Sequence, residues 1–402
     1  MLKKNKFLSY VVAKIYDTIK LISSKKYEIG ASMTREISII LCGYCYFILT
    51  LYQNMTKVIE VAMRQYALDP KNLEIKTIGS GLIHHTYILK GEKSYVLQKL
   101  NTNVFKDPKL IEKNISLVSN YLKNTHPNYL FPSSIPTAKN ESLFFDGESF
   151  WRLSLFVANS TTIDLVDDPV LAYEAAQAFG QLSKYLDKIS LDPFEETIPN
   201  FHNLAFRYEQ FETSLKNGHP ERAKKGKEII RFFETQKRIL ETFRQIKKDG
   251  QIPLRVQHHD TKISNVLLDA NTKKALAICD LDTLMPGYFI SDLGDMVRTY
   301  TSSENEESTN WESIKVREPY FKALMQGYLN QMGHSLTAGE RKHLFYAGEF
   351  MIYMQGLRFL SDYLLGDIYY PVKHDIHNLN RAKNQMLLLQ DLQVQKEKLM
   401  DF

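Results

Sequence analysis

Cysteine is scarce in this chain: three in 402 residues, Cys42, Cys45 and Cys279. That number excludes a disulfide framework and fits a reducing compartment, so the cytoplasm is the expected location. Cys42-Gly-Tyr-Cys45 has the C-x-x-C spacing of redox sites, yet no βαβ pattern surrounds it and coincidence is the simpler reading. Charge of one sign is also lacking. A net charge of +5 is too small and too dispersed to argue for a nucleic-acid partner, and it is compatible with anionic nucleotide substrates. A spanning helix needs about 20 apolar residues, and the uncharged run Ile37–Tyr52 stops at sixteen. That run lies behind a basic segment (Lys3, Lys4, Lys6, Lys14, Lys20, Lys25, Lys26) too long for an ordinary secretory signal. Residues 1–54 are therefore read as an N-terminal extension, and three readings stay open: a start codon placed too early, a peripheral anchor, or a packed extra helix. Membrane contact is expected only through them. No internal repeat is apparent.

What the chain has is ample core material, 44% hydrophobic and 12% aromatic residues, and one segment that carries chemistry, Arg255 to Tyr300. His258-His259-Asp260-Thr261-Lys262-Ile263-Ser264-Asn265 reads as a loop running into the apolar strand Val266-Leu267-Leu268. An Asp five residues before an Asn is the spacing of a phosphoryl-transfer catalytic loop: the Asp accepts the proton of the acceptor hydroxyl and the Asn amide oxygen ligates Mg²⁺. Asp260 and Asn265 take those roles, and Lys262 between them places an ammonium near the phosphoryl group in flight. Asp269-Ala-Asn271-Thr is a turn signal and Lys274–Cys279 a second strand, so a hairpin should end on Asp280, facing the loop. A carboxylate there beside the Asn265 amide offers the oxygen ligands a hard cation prefers, with ATP phosphates and water completing the shell. Asp282, two residues on, is the candidate for a second metal contact.

The segment resembles the aminoglycoside-phosphotransferase and choline-kinase superfamily, and HHDTKISNV, DLDTLMPG, SDLGDMVRT and GLRFLSDYL at 356–364 are similar to its N-acetylhexosamine 1-kinase branch. The similarity runs from about Met55 to the C-terminus. One departure is His259, where many relatives carry Gly or Asn, and its bulk bears on acceptor access. The resemblance implies an α+β, bilobal protein-kinase-like fold: a nucleotide-binding N-lobe at 55–157 with a small antiparallel sheet, and a larger, mainly helical C-lobe at 158–402 for catalysis and acceptor binding. It implies ATP as co-substrate and Mg²⁺ as cofactor. Asp292 would brace the catalytic loop, with His258 also structural. Arg358 is similar to the Arg that contacts the acceptor in that branch, the alternative being a structural pair with Asp362.

Other expectations follow the chain. Thr56–Tyr66 has helical apolar spacing and ends before Asp69-Pro70. Gly79-Ser80-Gly81 joins two strands and would let backbone N–H groups approach phosphates, although a third glycine is missing. His84 and His85 then sit at the mouth of the site and are similar to polar residues that contact the sugar in the N-acetylhexosamine 1-kinase branch, the alternative being two exposed strand residues. A third-strand cation is needed at the phosphates. Lys99 is the choice, oriented by Glu112, with a one-residue slip putting Gln98 there instead. Ser142–Phe145 and Phe150–Phe156 are the last small-lobe strands, followed by a connector in which the backbone at Phe156 and Ala158 meets adenine. Val170–Leu186, Phe201–Leu215 and Ala223–Lys247 read as helices, and residues 301–312 as a mobile polar loop. Arg358 and Asp362 share a helix face, with Tyr363 beside them.

Together these point to a kinase of a small alcohol, with the anomeric hydroxyl of an N-acetylhexosamine (GlcNAc or GalNAc) as acceptor by resemblance. The rivals are an aminoglycoside, choline or amino-acid hydroxyl as acceptor, or a non-catalytic nucleotide-binding module. A cationic acceptor wants an acidic lid, which Glu304, Glu306 and Glu307 partly offer; a neutral sugar wants the mixed donors and acceptors of His84, Arg358 and Tyr363.

Overall fold

A computed structural model describes residues 55–78 and 83–401. The N-terminal extension and the Gly79-Ser80-Gly81 turn lie outside the described residues. Among those described, no helix is long and apolar enough to cross a membrane.

The first layer is an antiparallel sheet of β1 (Glu74–Ile78), β2 (His85–Lys90), β3 (Tyr95–Lys99), β4 (Ser134–Ile135), β5 (Phe144–Phe145) and β6 (Phe150–Leu155). Its order is β1-β2-β3-β6-β4, with β5 also on β6. One face is covered by the helix at 55–65, whose Ile59, Ala62 and Met63 recur at helical spacing and pack on Tyr87, Leu89, Leu97, Trp151 and Leu153. The Tyr66 hydroxyl closes this small core by donating to Trp151 O at 2.7 Å. The other face receives the helix Pro108–Thr125, started by Asp107, whose carboxylate accepts from Lys109 N and Leu110 N, and by Pro108 in the first turn. Period-two alternation in the strands sorts side chains between the two faces.

The second layer is helical. At its centre runs Leu344–Leu365, in which every residue except Arg358 and Leu365 is buried. An all-round apolar helix must be enclosed, and it is, by Ile290–Thr301, Leu204–Asn217 and His377–Val394. Gly294 allows the closest crossing: a Cβ there would stand 2.2 Å from Ala347 O. The single helix expected over 223–247 is three, Pro220–Lys225, Lys227–Thr235 and Arg238–Asp249. The breaks wrap this segment around the central helix, and near the second break the Phe233 and Ile239 carbonyls accept the hydroxyls of Tyr353 (2.9 Å) and Tyr346 (2.8 Å). The polar segment 301–312 is latched and not free: Glu306 pairs with Arg298 (2.8 Å), Glu307 with Arg381 (2.6 Å), and the Asn384 amide donates to Asn305 O (3.0 Å).

Two small antiparallel pairings connect the layers. β9 (Val266–Asp269) pairs with β10 (Ala275–Ile278) as the expected hairpin, edged by β7 (Ser160–Thr161). β8 (Arg255–Gln257) pairs with β11 (Met285–Gly287), bringing the strand before the catalytic loop against the strand after Asp282. The result is the bilobal α+β architecture, with the loop and the hairpin end facing each other between the lobes.

Candidate active site

The catalytic loop is held from the helix Ile290–Thr301. The Asp292 carboxylate accepts the backbone N–H of His258 at 2.8 Å and of His259 at 2.7 Å, so one side chain fixes two consecutive peptides. Asp292 sits inside the first turn of this helix, which begins at Ile290. Burial raises its carboxyl to about 6 against the pull of His258 and the two N–H groups. Asp295 accepts Thr261 N–H at 2.9 Å and is held by Arg298, while the Tyr300 hydroxyl donates to Thr261 O at 2.5 Å. His258 ties the loop to the hairpin: its Nδ1 accepts Asp260 N–H at 3.3 Å and its Nε2 reaches Cys279 O at 3.0 Å.

On this base Asp260, Lys262, Asn265 and Asp280 converge. Lys262 Nζ is 2.7 Å from Asp260 Oδ2 and 3.9 Å from Asp280 Oδ2, so one ammonium spans both carboxylates. The Asn265 amide donates to Asp260 O at 2.8 Å, which leaves its oxygen free. Burial pushes the Asp260 carboxyl up, but the Lys262 ammonium outweighs it and the group is held below its ordinary value. Asp280 behaves oppositely. Burial first, and then the charges of Asp282 and Asp260, raise it to about 6. It stands in the left-handed region (φ 59°), sparsely populated for a residue with a Cβ, and strain of this kind collects at functional positions. No described group donates a hydrogen bond to it. An under-compensated carboxylate next to a free amide oxygen fits a hard divalent cation; two protein ligands plus phosphates and water is the way Mg²⁺ is usually held. No group of three or more His, Cys, Asp or Glu side chains gathers for a metal among the described residues.

Asp282 does not join this set. Its carboxylate is buried between Arg152, which grips both oxygens, and His84, whose Nε2 lies 2.6 Å from Oδ2. Burial alone would raise it, but Arg152 and His84 hold it far below the usual carboxylate range. The second metal contact assigned to Asp282 is thus replaced by a link between lobes. His84 is spent in the same link, since its Nδ1 accepts Asn101 N–H at 2.9 Å, so neither ring nitrogen is left for a sugar. His85 is exposed at the start of β2.

The ion pair expected between Lys99 and Glu112 is also corrected. Gln98 lies opposite Arg152 in the β3/β6 ladder, and its Oε1 accepts from Arg152 Nη2 at 2.8 Å; Glu112 Oε1 takes Arg152 Nη1 at 3.2 Å. Lys99 pairs across with Trp151, on the face that meets the 55–65 helix. Alternation by one residue decides this. Arg152 therefore takes the place of the third-strand cation in holding the helix, and it escaped notice although it is the one charge in the apolar strand Phe150–Leu155. In the connector, Phe156 N–H donates to Ser94 O at 3.0 Å and Ala158 is exposed, with no described partner for its backbone groups.

Also unforeseen is the cluster beside the loop. His259, itself at φ 65°, places Nδ1 2.7 Å from the Ser291 hydroxyl, which His202 also reaches. Burial drives both imidazoles down, His259 to about 3. Gly287 is required here, because a Cβ would stand 2.3 Å from the His259 ring. A cavity of about 200 Å³ opens against His202, His259, Ser291 and Asn200. The Phe201 ring stacks on His202 and lies under the Arg358 guanidinium, 5.5 Å away, which carries the same wall on to a second cavity. Arg358 does not pair with Asp362, whose oxygens accept Tyr369 N–H, Tyr370 N–H and the Asn378 amide. Tyr363 is buried on another side of the helix under Arg222, so a substrate role for it is not supported.

The sequence pattern of the phosphotransferase enzyme family, APH, matches residues 74–329. The chain belongs to this phosphotransferase family. Solved structures agree in fold. A microcompartment-associated aminopropanol kinase is similar at a TM-score of 0.58 and 14% identity, covering 84% of this chain and 98% of its own. An amicoumacin kinase, hAmiN, solved in complex with AMP-PNP, Ca²⁺ and Ami, is similar at a TM-score of 0.56 and 12% identity, covering 83% of this chain and 92% of its own. An ethanolamine kinase from Plasmodium vivax gives 0.52 and 12%, covering 96% of each chain. Phosphotransfer from a nucleotide to a small molecule is the family's activity, and the loop of Asp260 and the hairpin end of Asp280 lie inside the matched region.

Proposed function

We propose that this phosphotransferase uses ATP and Mg²⁺ to phosphorylate the anomeric hydroxyl of an N-acetylhexosamine, yielding the sugar 1-phosphate and ADP. The observation that carries the reading is the convergence of Asp260 and Asp280 on the Lys262 ammonium, with the Asn265 amide donating to Asp260 O. Asp260, kept ionised by Lys262, aligns the acceptor hydroxyl and takes its proton as the oxygen attacks the γ-phosphorus in line. Asp280 and Asn265 would hold Mg²⁺, which supplies charge neutralisation at the phosphates. Lys262 adds positive charge beside the transferring group. Adenine would be met by the backbone of the Phe156 to Ala158 connector, and the phosphates by the Gly79–Gly81 turn.

A neutral or anionic acceptor fits the surroundings better than a cationic one. Of the acids offered for a lid, Glu306 and Glu307 are already committed to Arg298, Lys373 and Arg381, and Glu304 accepts the Asn310 amide at 3.2 Å. The wall next to the loop offers His202, Ser291, Asn200 and Arg358, a mixed set of donors and acceptors. The test is incubation with Mg-ATP and a panel of sugars, choline and aminoglycosides. Phosphorus coupled to the anomeric proton by NMR is the expected product signature; phosphate on choline or an aminoglycoside, with the sugars untouched, would overturn the sugar reading.

A further inference from the structure

Arginines that are wholly or partly buried in this molecule generally hold a carboxylate: Arg152, Arg222, Arg255, Arg298 and Arg381 each do. Arg317 instead reaches four backbone carbonyls, of Val166, Tyr300, Thr301 and Ser302. Arg207 and Arg358 hold no carboxylate among the described residues. They face one cavity of about 420 Å³, walled by Phe206, Tyr369 and Tyr370, and neither forms an ion pair among the described residues. Arg207 is fixed by Phe201 O (3.1 Å from Nη2) and Gln210 (2.9 Å from Nη1), while Arg358 gives one donor to Gln355 Oε1 at 3.0 Å and keeps Nε and Nη2 unspent. The rings of Phe201, Tyr369 and Tyr370 surround the Arg358 guanidinium at 5.5, 5.9 and 5.6 Å and orient it without cancelling its charge. Of the two acids on the cavity, Asp362 is satisfied by three N–H donors and Glu209 lies on the exposed rim. Burial and then the Arg358 charge pull the Arg207 guanidinium down to about 10.

We infer that Arg207 and Arg358 form an oxyanion subsite at the far end of the acceptor cleft, so that the alcohol phosphorylated at Asp260 also carries a carboxylate or a phosphate. Two planar guanidiniums in a half-buried pocket match such a group in charge and in paired hydrogen-bond geometry. The subsite connects to the catalytic loop through Phe201, whose ring centre lies 6.3 Å from that of His259, the residue before Asp260. The inference rests on the kinase reading for the identity of the cleft, not for the binding itself.

The test is calorimetric titration of the full chain, with Mg²⁺ and a non-hydrolysable ATP analogue, using three hexoses: neutral, with a 6-carboxylate, and with a 6-phosphate. The expected result is that at least one anionic sugar binds about tenfold or more tighter than the neutral one, and that Arg358→Gln removes the difference. The two anionic sugars distinguish a carboxylate from a phosphate as the recognised group. Arg207→Lys, which keeps charge but loses the fork, is expected to reduce the preference in part, and its normal melting temperature would show that folding is intact. Equal binding of all three sugars, or a preference that survives Arg358→Gln, overturns the inference. Turnover assays on the same sugars separate the two readings: anion-selective binding without phosphorylation would remove the sugar 1-kinase assignment and leave the subsite standing.

Discussion

Asp280 and Asp282 are two residues apart and chemically identical, yet they live in opposite environments. Asp280 receives no hydrogen bond from the described residues, sits at a strained left-handed position and is raised to about 6. Asp282 is gripped by Arg152 and His84 and held far below the ordinary range. On the proposed function, the difference lies in what each is for. A carboxylate left under-compensated has affinity to spare for a cation that arrives with the nucleotide; one that is fully compensated joins two lobes permanently and has none to offer.

The largest effect is expected at the loop. Asp260→Asn should lower turnover by about 10² to 10⁴, the range of a positioned base, while binding of an ATP analogue and the melting temperature stay as in the wild type; near-normal kcat would remove Asp260 from the reaction. Next is the link between lobes. Arg152→Met strands Asp282 and Glu112 without their shared partner, and breaking a buried pair in this way costs about 3–5 kcal/mol, measurable by denaturant unfolding. Adding Asp282→Leu to that variant should restore much of the loss, and a double variant no better than the single one would contradict the pairing.

A pH effect again sets Asp280 apart from Asp282, with Asp292 on the same side as Asp280. In the native chain Asp280 and Asp292 hold protons up to about 6, whereas their ordinary value is 3.8. Native protein therefore binds more protons than unfolded chain between these limits, and metal-free stability should fall as pH rises through that window. Asp280→Asn should flatten the fall. Thermal melts from pH 4 to 7 check it, and an unchanged slope would place the raised value elsewhere. The smallest effect belongs to Lys99, on the opposite face of β3: Lys99→Gln is expected to shift stability by less than about 0.5 kcal/mol and to leave the KM for ATP nearly unchanged, whereas a large rise in KM would return Lys99 to the phosphates.

The sequence was most legible where chemistry is local. Asp260, Lys262 and Asn265 lie within six residues and the hairpin that delivers Asp280 has its own turn signal, so spacing sufficed. Legibility failed where a side chain's meaning depends on a partner far along the chain. Arg152 meets Asp282 across 130 residues, and His84 meets it across 198. Nothing near any of them in sequence announces the meeting. The Lys99 error was one of parity, since one step along a strand changes the face. His202 falls inside the helix expected over Phe201–Leu215, which begins only at Leu204, so it sits in the turn before it, and Tyr363 was misplaced because a helix buried all round gives no apolar stripe to orient by.

The most direct measurement is a Mg²⁺ titration, in the presence of a non-hydrolysable ATP analogue, of wild type, Asp280→Asn and Asp282→Asn, each paired with its metal-free melting temperature. Asp280→Asn is expected to lose about tenfold or more in metal affinity, a fold-change equal to about 1.4 kcal/mol, while melting no lower than wild type. Asp282→Asn should melt distinctly lower. The reverse pattern, metal affinity lost at Asp282 and stability lost at Asp280, would contradict the account.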